Sequence, residues 1–360
     1  MELVSSIGDS LNLDGLESHL IGKPRIYLRP LNFRYRQNQS VEDIELILCS
    51  NGLLRSLSLK KPDLEKWAAG IGGIVQNRIY SLLKNIDRVK SPICGIEVDR
   101  PRIMGVVNIT PDSFSDGGEN YNPEVAINTS LDMTNAGADI IDIGGVSTRP
   151  GSRPPSEEEE FARVIPVIKK LKEHHIIVSI DTRRSSIMEA ALEAGASIIN
   201  DISALTADLK SLKFAAKCNA PIILMHMQGV PETMQESPHY DHVSIEIFDY
   251  LEARINTCIA AGISKDRLII DPGVGFGKTV EHNVQLLRDL AIFHGLGCSI
   301  LIGASRKSFI GSLSNSEQVD NRLSGSISAA LHAVSLGAQI VRVHDVAETN
   351  QALKVWRELQ

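Results

Sequence analysis

Aromatic residues make up only 4% of this 360-residue chain, so its core has to be built from Ile, Leu, Val and Ala. Cysteine is also scarce. Cys49, Cys94, Cys218, Cys258 and Cys298 are scattered with no C-x-x-C pair. Such a set reads as reduced thiols in the cytoplasm, not as a disulfide framework or zinc site. No block of Lys and Arg exists and the net charge is −7, so nucleic acid is not an expected partner. No apolar run approaches the length of a membrane span, and the start Met1-Glu2-Leu3-Val4 lacks the basic opening of a secretory signal. Membrane is therefore not an expected partner either. A G-x-G-x-x-G after the first strand of the main region is missing, which argues against an open dinucleotide-binding sheet. Gly273 to Thr279 resembles a phosphate-binding P-loop, but Pro272 stands where that loop needs its first glycine. No G-x-S-x-G surrounds any serine, which leaves Ser305, His226 and Asp271 a poor triad.

What is present is a recurring unit. Residues are 43% hydrophobic and mean hydropathy is −0.02, a globular composition. From Pro101 onward, apolar strands end in a polar or glycine residue, and an amphipathic stretch follows each. The predicted strands are Ile103–Asn108, Ile140–Gly144, Ile176–Asp181, Ser197–Asp201, Pro221–His226, Leu268–Asp271, Ser299–Gly303 and Ile340–His344. Predicted helices lie between and after them, including Glu157–His174, Ser185–Ala194, Ser244–Ala261 and Val280–His294. Strands that are apolar throughout, without alternation, are buried on both faces, as parallel strands are. Eight such units over residues 101–360 predict a (β/α)8 barrel.

Residues 1–100 predict an N-terminal α/β extension of unassigned role. Pro24 to Pro30 and Ile44 to Cys49 read as short strands, and Asp63 to Ile86 as one helix weakened by Gly70, Gly72 and Gly73. Ser91 to Pro101 reads as a short strand or hairpin closing the bottom of the barrel. A plain structural extension and a regulatory or partner-binding module both remain open.

In a barrel the carboxyl ends of the strands share one mouth. Here they carry Asn108; Gly144 to Gly151; Asp181-Thr182-Arg183; Asn200-Asp201; Met225-His226-Met227; Asp271 to Lys278; Gly303 to Ser308; and Arg342 to Asp345. Arg342, His344, Lys307 and Arg149 are cationic candidates suited to a phosphate group. Asn108 and nearby hydroxyls are candidates for a magnesium that keeps its waters and bridges phosphates. Asp181, Asn200 and Asp271 want N–H donors, which a flat nitrogen-rich ring supplies. Met225 and Phe276 are placed to flank flat rings. Lys307 also admits a Schiff-base role, while Glu157 to Glu160 reads only as a charged first helical turn.

The stretch Met104-Gly-Val-Val-Asn-Ile-Thr-Pro-Asp-Ser-Phe-Ser-Asp-Gly-Gly118, with Ser147 to Gly151, Asp181 to Arg183, Asn200-Asp201, Leu224 to Met227, Asp271 to Lys278, Ser305 to Ser308 and Arg342 to Asp345, resembles the dihydropteroate synthase family. The resemblance spans about residues 101–360. It implies a TIM barrel, commonly a homodimer, in folate biosynthesis. The implied reaction joins a dihydropterin methyl diphosphate to p-aminobenzoate with Mg2+, and sulfonamides compete with the second substrate. By motif, the resemblance puts Asp181, Asn200, Met225, Asp271 and Lys307 around the pterin. It puts Arg342, His344 and Thr148 at the diphosphate, and Thr148, Arg149, Pro150, Phe276, Lys307 and Ser308 on the p-aminobenzoate side. Asn108 would be the metal-associated residue. Thr110, Asp112, Phe114 and Ser115 would belong to a mobile loop that closes over the substrates. One departure stands out: Val146 occupies the place where the family commonly has Glu. A pterin-binding paralogue without turnover is the alternative that this departure keeps open.

Overall fold

A computed structural model of the chain describes residues 25–31, 41–50, 53–109, 123–146 and 155–360. They form two compact units. One comprises the chain up to Val89 together with Asp289–Gly297; the other comprises Lys90–Arg288 and Cys298–Gln360.

The first unit holds a three-stranded antiparallel sheet of β1 (Arg25–Pro30), β2 (Asp43–Ser50) and β3 (Leu53–Lys60), in that order. The central strand β2 buries six consecutive residues, Ile44 to Cys49. The predicted single helix is instead two, α1 (Lys61–Ile71) and α2 (Gly73–Ile86). The break falls at Gly72 and Gly73, whose φ of 69° and 58° only glycine adopts at little cost. The predicted helix Val280–His294 is also shorter, ending at Arg288. Leu290–Leu296 forms tight 3-10 turns with every residue buried, so the one-sided burial of an amphipathic helix is lost. This segment belongs to the first unit: Asn85 Nδ2 donates to Gly295 O at 2.8 Å, and Arg29 pairs with both Glu45 and Asp289.

The second unit is the barrel. Its strands are β4 (Arg102–Asn108), β5 (Ile140–Gly144), β6 (Val178–Asp181), β7 (Ile198–Asp201), β8 (Ile222–Met225), β9 (Leu268–Asp271), β10 (Ser299–Ile302) and β11 (Ile340–Val343). All are parallel, and they close in the order β10-β11-β4-β5-β6-β7-β8-β9. The eight predicted strands therefore all stand, six of them shifted by one or two residues at an end. The helices that follow strands are α3 (Pro123–Asn135), α4 (Glu157–Glu173), α5 (Ser185–Ala194), α6 (Ser211–Lys217), α7 (Val243–Ala260), α8 (Val280–Arg288), the unpredicted α9 (Ser308–Leu313), α10 (Leu323–Ser335) and α11 (Val346–Glu358). The start of α4 is fixed by a reciprocal cap. Glu159 N donates to Ser156 Oγ at 3.1 Å, and Ser156 N donates to Glu159 Oε2 at 2.7 Å. Below the strands, Ile93 and Ile96 form the expected small hairpin. Ile93 packs with Met104, Ile140, Ile198, Ile223, Ile269, Leu301 and Ile340, residues from the lower part of seven strands. The bottom is thus sealed by aliphatic side chains, and the polar groups collect at the other end. Among the described residues no helix is long and apolar enough to cross a membrane.

Candidate active site

Strand register builds the mouth. Asn108 pairs with Gly144, Gly144 with Asp181, and Asp181 with Asn200. Four neighbouring strands therefore end at one level, about 4.8 Å apart. Further round, Met225 pairs with Asp271. Gly144 keeps a gap in the row: a Cβ there would lie 3.3 Å from Asn108 Oδ1 and 3.6 Å from Asp181 Cβ. Two residues earlier on the same face of β5 stands Asp142, completely buried at 0% exposure. Asp142 is not among the strand-end residues expected from sequence, since it stands two residues short of the end of β5. A lone carboxylate between Ile141 and Ile143 in a buried strand was the available signal.

Arg342 reaches these carboxylates from β11. Its Nε donates to Asp142 Oδ2 at 2.7 Å and its Nη2 to Asp181 Oδ2 at 3.1 Å. Asn200 Nδ2 donates to the same Asp142 oxygen at 3.1 Å. Asp142 Oδ2 is thus well supplied, whereas Asp142 Oδ1 is buried with no hydrogen-bond partner among the described residues. Leaving such an acceptor unpaired costs about 1–3 kcal/mol, and a ligand N–H would relieve that cost. Burial, and next the charge of Asp142, raise the Asp181 carboxyl well above the usual carboxylate range; Arg342 offsets this only in part.

The opposite side of the mouth is the loop after β9. Burial raises the pKa of Asp271, while the Gly273 N–H, Lys307 and Arg342 pull it down; the Gly273 bond to Asp271 Oδ1 is 2.7 Å long. Lys307 caps α9 and lies with its ammonium 4.0 Å from the centre of the Phe276 ring. Burial, and then Arg342, lower Lys307 to about 8. A Schiff-base role has no further support here, since the ammonium is engaged with Phe276 and with Asp271 and Asp181 charge. Ser308 is exposed in the first turn of α9.

His344 departs from its expected role as a cation. Burial first, then Arg342 and Arg306, lower it to about 4, so the ring is neutral at pH 7. Its backbone N–H donates to Ser305 Oγ at 3.2 Å, and Nδ1 faces the same hydroxyl at 3.1 Å. With the Ser305 hydroxyl donating to Nδ1, the ring proton sits on Nε2 and offers an N–H donor to a ligand. Ser305 on His344, and His226 on Lys278 at 3.1 Å, leave no serine triad. Asp201 accepts from Ser203 N, Ser203 Oγ and Leu205 N, and so folds its own turn. Glu160, read from sequence only as part of a charged helical turn, is completely buried. It accepts from Thr182 Oγ1 at 2.6 Å and Arg184 Nη1 at 2.5 Å, holding the turn that follows Asp181.

The structure brings together Asp181, Asn200, Arg342, Asp271 and Lys307, and adds Asp142. Met225 is buried beside Asp271 in register. Thr110, Asp112, Phe114, Ser115, Thr148, Arg149 and Pro150 lie outside the described residues. Asn108 stands half-buried at the mouth. Among the described residues no group of three or more His, Cys, Asp or Glu is arranged to hold a metal. One amide oxygen fits Mg2+ only in the mode where waters and substrate phosphates supply the other oxygens.

Comparison with known proteins agrees with this geometry. Residues 104–344 match the family model described as pterin binding enzyme. The chain is 49% identical over 269 residues to the dihydropteroate synthase of Neisseria meningitidis serogroup B, covering 73% of this chain and 94% of that protein. A Yersinia pestis dihydropteroate synthase solved with a sulfonamide drug superposes with a TM-score of 0.70 at 43% identity, over 75% of this chain and 98% of that one. A Xanthomonas albilineans dihydropteroate synthase in complex with 7,8-dihydropteroate gives 0.67 at 45% identity, over 74% and 95%. With the barrel, the paired carboxylates at its mouth and this degree of identity in hand, the chain belongs to the dihydropteroate synthase family of pterin binding enzymes.

Proposed function

We propose that the chain condenses a (7,8-dihydropterin-6-yl)methyl diphosphate with p-aminobenzoate, giving 7,8-dihydropteroate and diphosphate in folate biosynthesis. The unpartnered Oδ1 of Asp142 carries this reading. A dihydropterin offers ring N–H and amino donors, and Asp142 and Asp181 supply acceptors on the neighbouring strands β5 and β6, with Asp271 across the mouth on β9. Asn200 and Lys307 complete that set, and Met225 borders the ring. Arg342 holds Asp142 and Asp181 in place from β11.

The electron pair of the breaking C–O bond leaves with the diphosphate. His344 Nε2–H and Arg342 stabilise the departing oxygens, and the anion in turn favours a protonated His344. The carboxylates stabilise positive charge that develops on the pterin methylene. The arylamine lone pair then forms the C–N bond, and its proton is lost to solvent. No protein nucleophile is required. When bound, Mg2+ would neutralise diphosphate charge, and Asn108 is the described residue that would hold it. Lys307 over Phe276 borders the p-aminobenzoate side, where a sulfonamide would compete; Thr148, Arg149, Pro150 and Ser308 belong to that side by motif alone. The working form would be a homodimer in the cytoplasm, and sedimentation measures the first of these.

Incubation of the protein with the dihydropterin diphosphate, labelled p-aminobenzoate and Mg2+ should yield labelled dihydropteroate. Absence of product would refute the assignment. Val146 favours one second reading, a pterin binder without turnover. Its mark would be dihydropterin binding with no product, and product restored by Val146→Glu.

A further inference from the structure

Lys278 ends the loop after β9, and the reaction outlined above makes no use of it. It is 3% exposed, so a lysine has been taken almost wholly out of water. Its Nζ donates to Phe276 O at 2.9 Å and faces His226 Nδ1 at 3.1 Å. His226 is itself buried and packs edge-on against Tyr250, with ring centres 4.9 Å apart, and near Tyr240 at 6.0 Å. Its titration is pushed far down, by burial first and Lys278 second, so the ring is a neutral acceptor at Nδ1.

The loop above this pair takes an unusual path. Gly273, Gly275 and Gly277 all have positive φ, at 73°, 81° and 59°. Phe276 N donates to Gly273 O at 3.1 Å, Gly275 N donates to Asn283 Oδ1 at 2.6 Å, and Tyr240 Oη donates to Gly277 O at 2.8 Å. A Cβ added to Gly273 would lie 3.4 Å from Lys278 Nζ, and one added to Gly275 would lie 2.8 Å from Lys307 Cδ. The loop therefore touches a lysine at each of these two glycines. Lys307 runs past Gly275 to the Phe276 ring; Lys278 sits against Gly273 and holds the Phe276 carbonyl.

We propose that Lys278 is a positioning residue for the second substrate, because its Nζ, seated on His226, clips the Phe276 carbonyl and so fixes the ring that Lys307 covers. This rests on the reading of the site as a dihydropteroate synthase. The clip itself is a physical property of the loop and is testable without turnover. Burial lowers Lys278 to about 7, against the pull of Asp271; a buried amine still needs hydrogen-bond partners, and His226 and the Phe276 carbonyl supply them while fixing the backbone between residues 273 and 278.

The test uses the full chain. Lys278→Met keeps the length and removes the donors; thermal unfolding checks that the variant folds. Amide exchange at Gly275 to Gly277 should accelerate by roughly tenfold, and the KM for p-aminobenzoate should rise by a similar factor, the scale of one buried hydrogen bond. The kcat at saturation should stay within about threefold of the original chain. Lys278→Gln, which keeps an N–H donor, should recover most of the loss. His226→Phe removes the acceptor, keeps the ring against Tyr240 and Tyr250, and should move both readings the same way; it serves if Lys278→Met does not fold. Unchanged exchange at the loop, an unchanged KM, or an equal loss in the Met and Gln variants would overturn the proposal. If the original chain makes no dihydropteroate, the enzymatic reading fails, while the exchange data still decide whether Lys278 holds the loop.

Discussion

Replacing Asp142 with asparagine changes one buried oxygen pair and little else in volume. Asp142 Oδ2 now accepts from Arg342 Nε at 2.7 Å and from Asn200 Nδ2 at 3.1 Å, while Oδ1 has no partner among the described residues. In Asp142→Asn the amide oxygen can stay on Arg342 and Asn200, so the NH2 group occupies the Oδ1 position. That group is a donor, and it meets the pterin donor edge with the wrong polarity. A hydrogen bond to a charged group is worth about 1.5–3 kcal/mol, which is roughly 10–150-fold in binding. The fold should suffer less. Arg342 keeps Asp181 at 3.1 Å, and removing the neighbouring negative charge makes Asp181 easier to ionise. Calorimetric titration with the dihydropterin diphosphate should therefore show affinity falling by 10- to 150-fold. Thermal unfolding should move by no more than the few degrees that about 1 kcal/mol produces. An affinity within twofold of the original chain, in a folded variant, would refute the assignment of Asp142 to the pterin edge.

Three further outcomes follow from the same geometry. Lys307→Ala removes a half-buried cation beside Asp271, Asp181 and Phe276; a steady-state assay should show turnover lower by about a hundredfold to a thousandfold, with the far-ultraviolet circular dichroism unchanged. Phe276→Ala should weaken sulfonamide inhibition and raise the KM for p-aminobenzoate by roughly tenfold, while dihydropterin affinity stays within about threefold, as titration would read. Asp181 has a folded-state pKa raised from 3.8 to about 7. Its contribution to stability is therefore fully present below about pH 4 and is lost as pH rises through about 7. Denaturant unfolding of Asp181→Asn beside the original chain should show the variant gaining relative stability between pH 4 and pH 8, although its turnover is abolished.

The barrel was legible because its strands bury both faces. A run such as Ile198-Ile199-Asn200-Asp201 is apolar until it reaches the mouth, and the helix before it ends in Ala194-Gly195-Ala196. The same feature revealed Asn108, Asp181, Asn200 and Asp271, which all break an apolar run at its last residue or next to it. Asp142 escaped because it interrupts β5 from within, two residues short of the end. Glu160 escaped because it sits in a row of four glutamates, Glu157 to Glu160, and only tertiary packing selects the one that turns inward. His344 reads as a cation from its type alone; burial beside Arg342 and Arg306 makes it neutral. The split at Gly72 needed the positive φ of two successive glycines, which composition signals only as a weak helix. Leu290 to His294 continue the period of α8 in sequence, yet every residue of Leu290–Leu296 is buried and the segment belongs with the first unit. Lys278 stands at the end of the Asp271 to Lys278 motif with no role legible there, because its partner His226 comes from the end of a different strand.

A crystal structure of the chain with a dihydropterin bound would decide where the ring is read. The ring should lie across the mouth, with one N–H or amino group within about 3 Å of Asp142 Oδ1 and another within about 3 Å of Asp271. A ring bound elsewhere, or one bound at the mouth with Asp142 Oδ1 still unpartnered, would contradict the assignment.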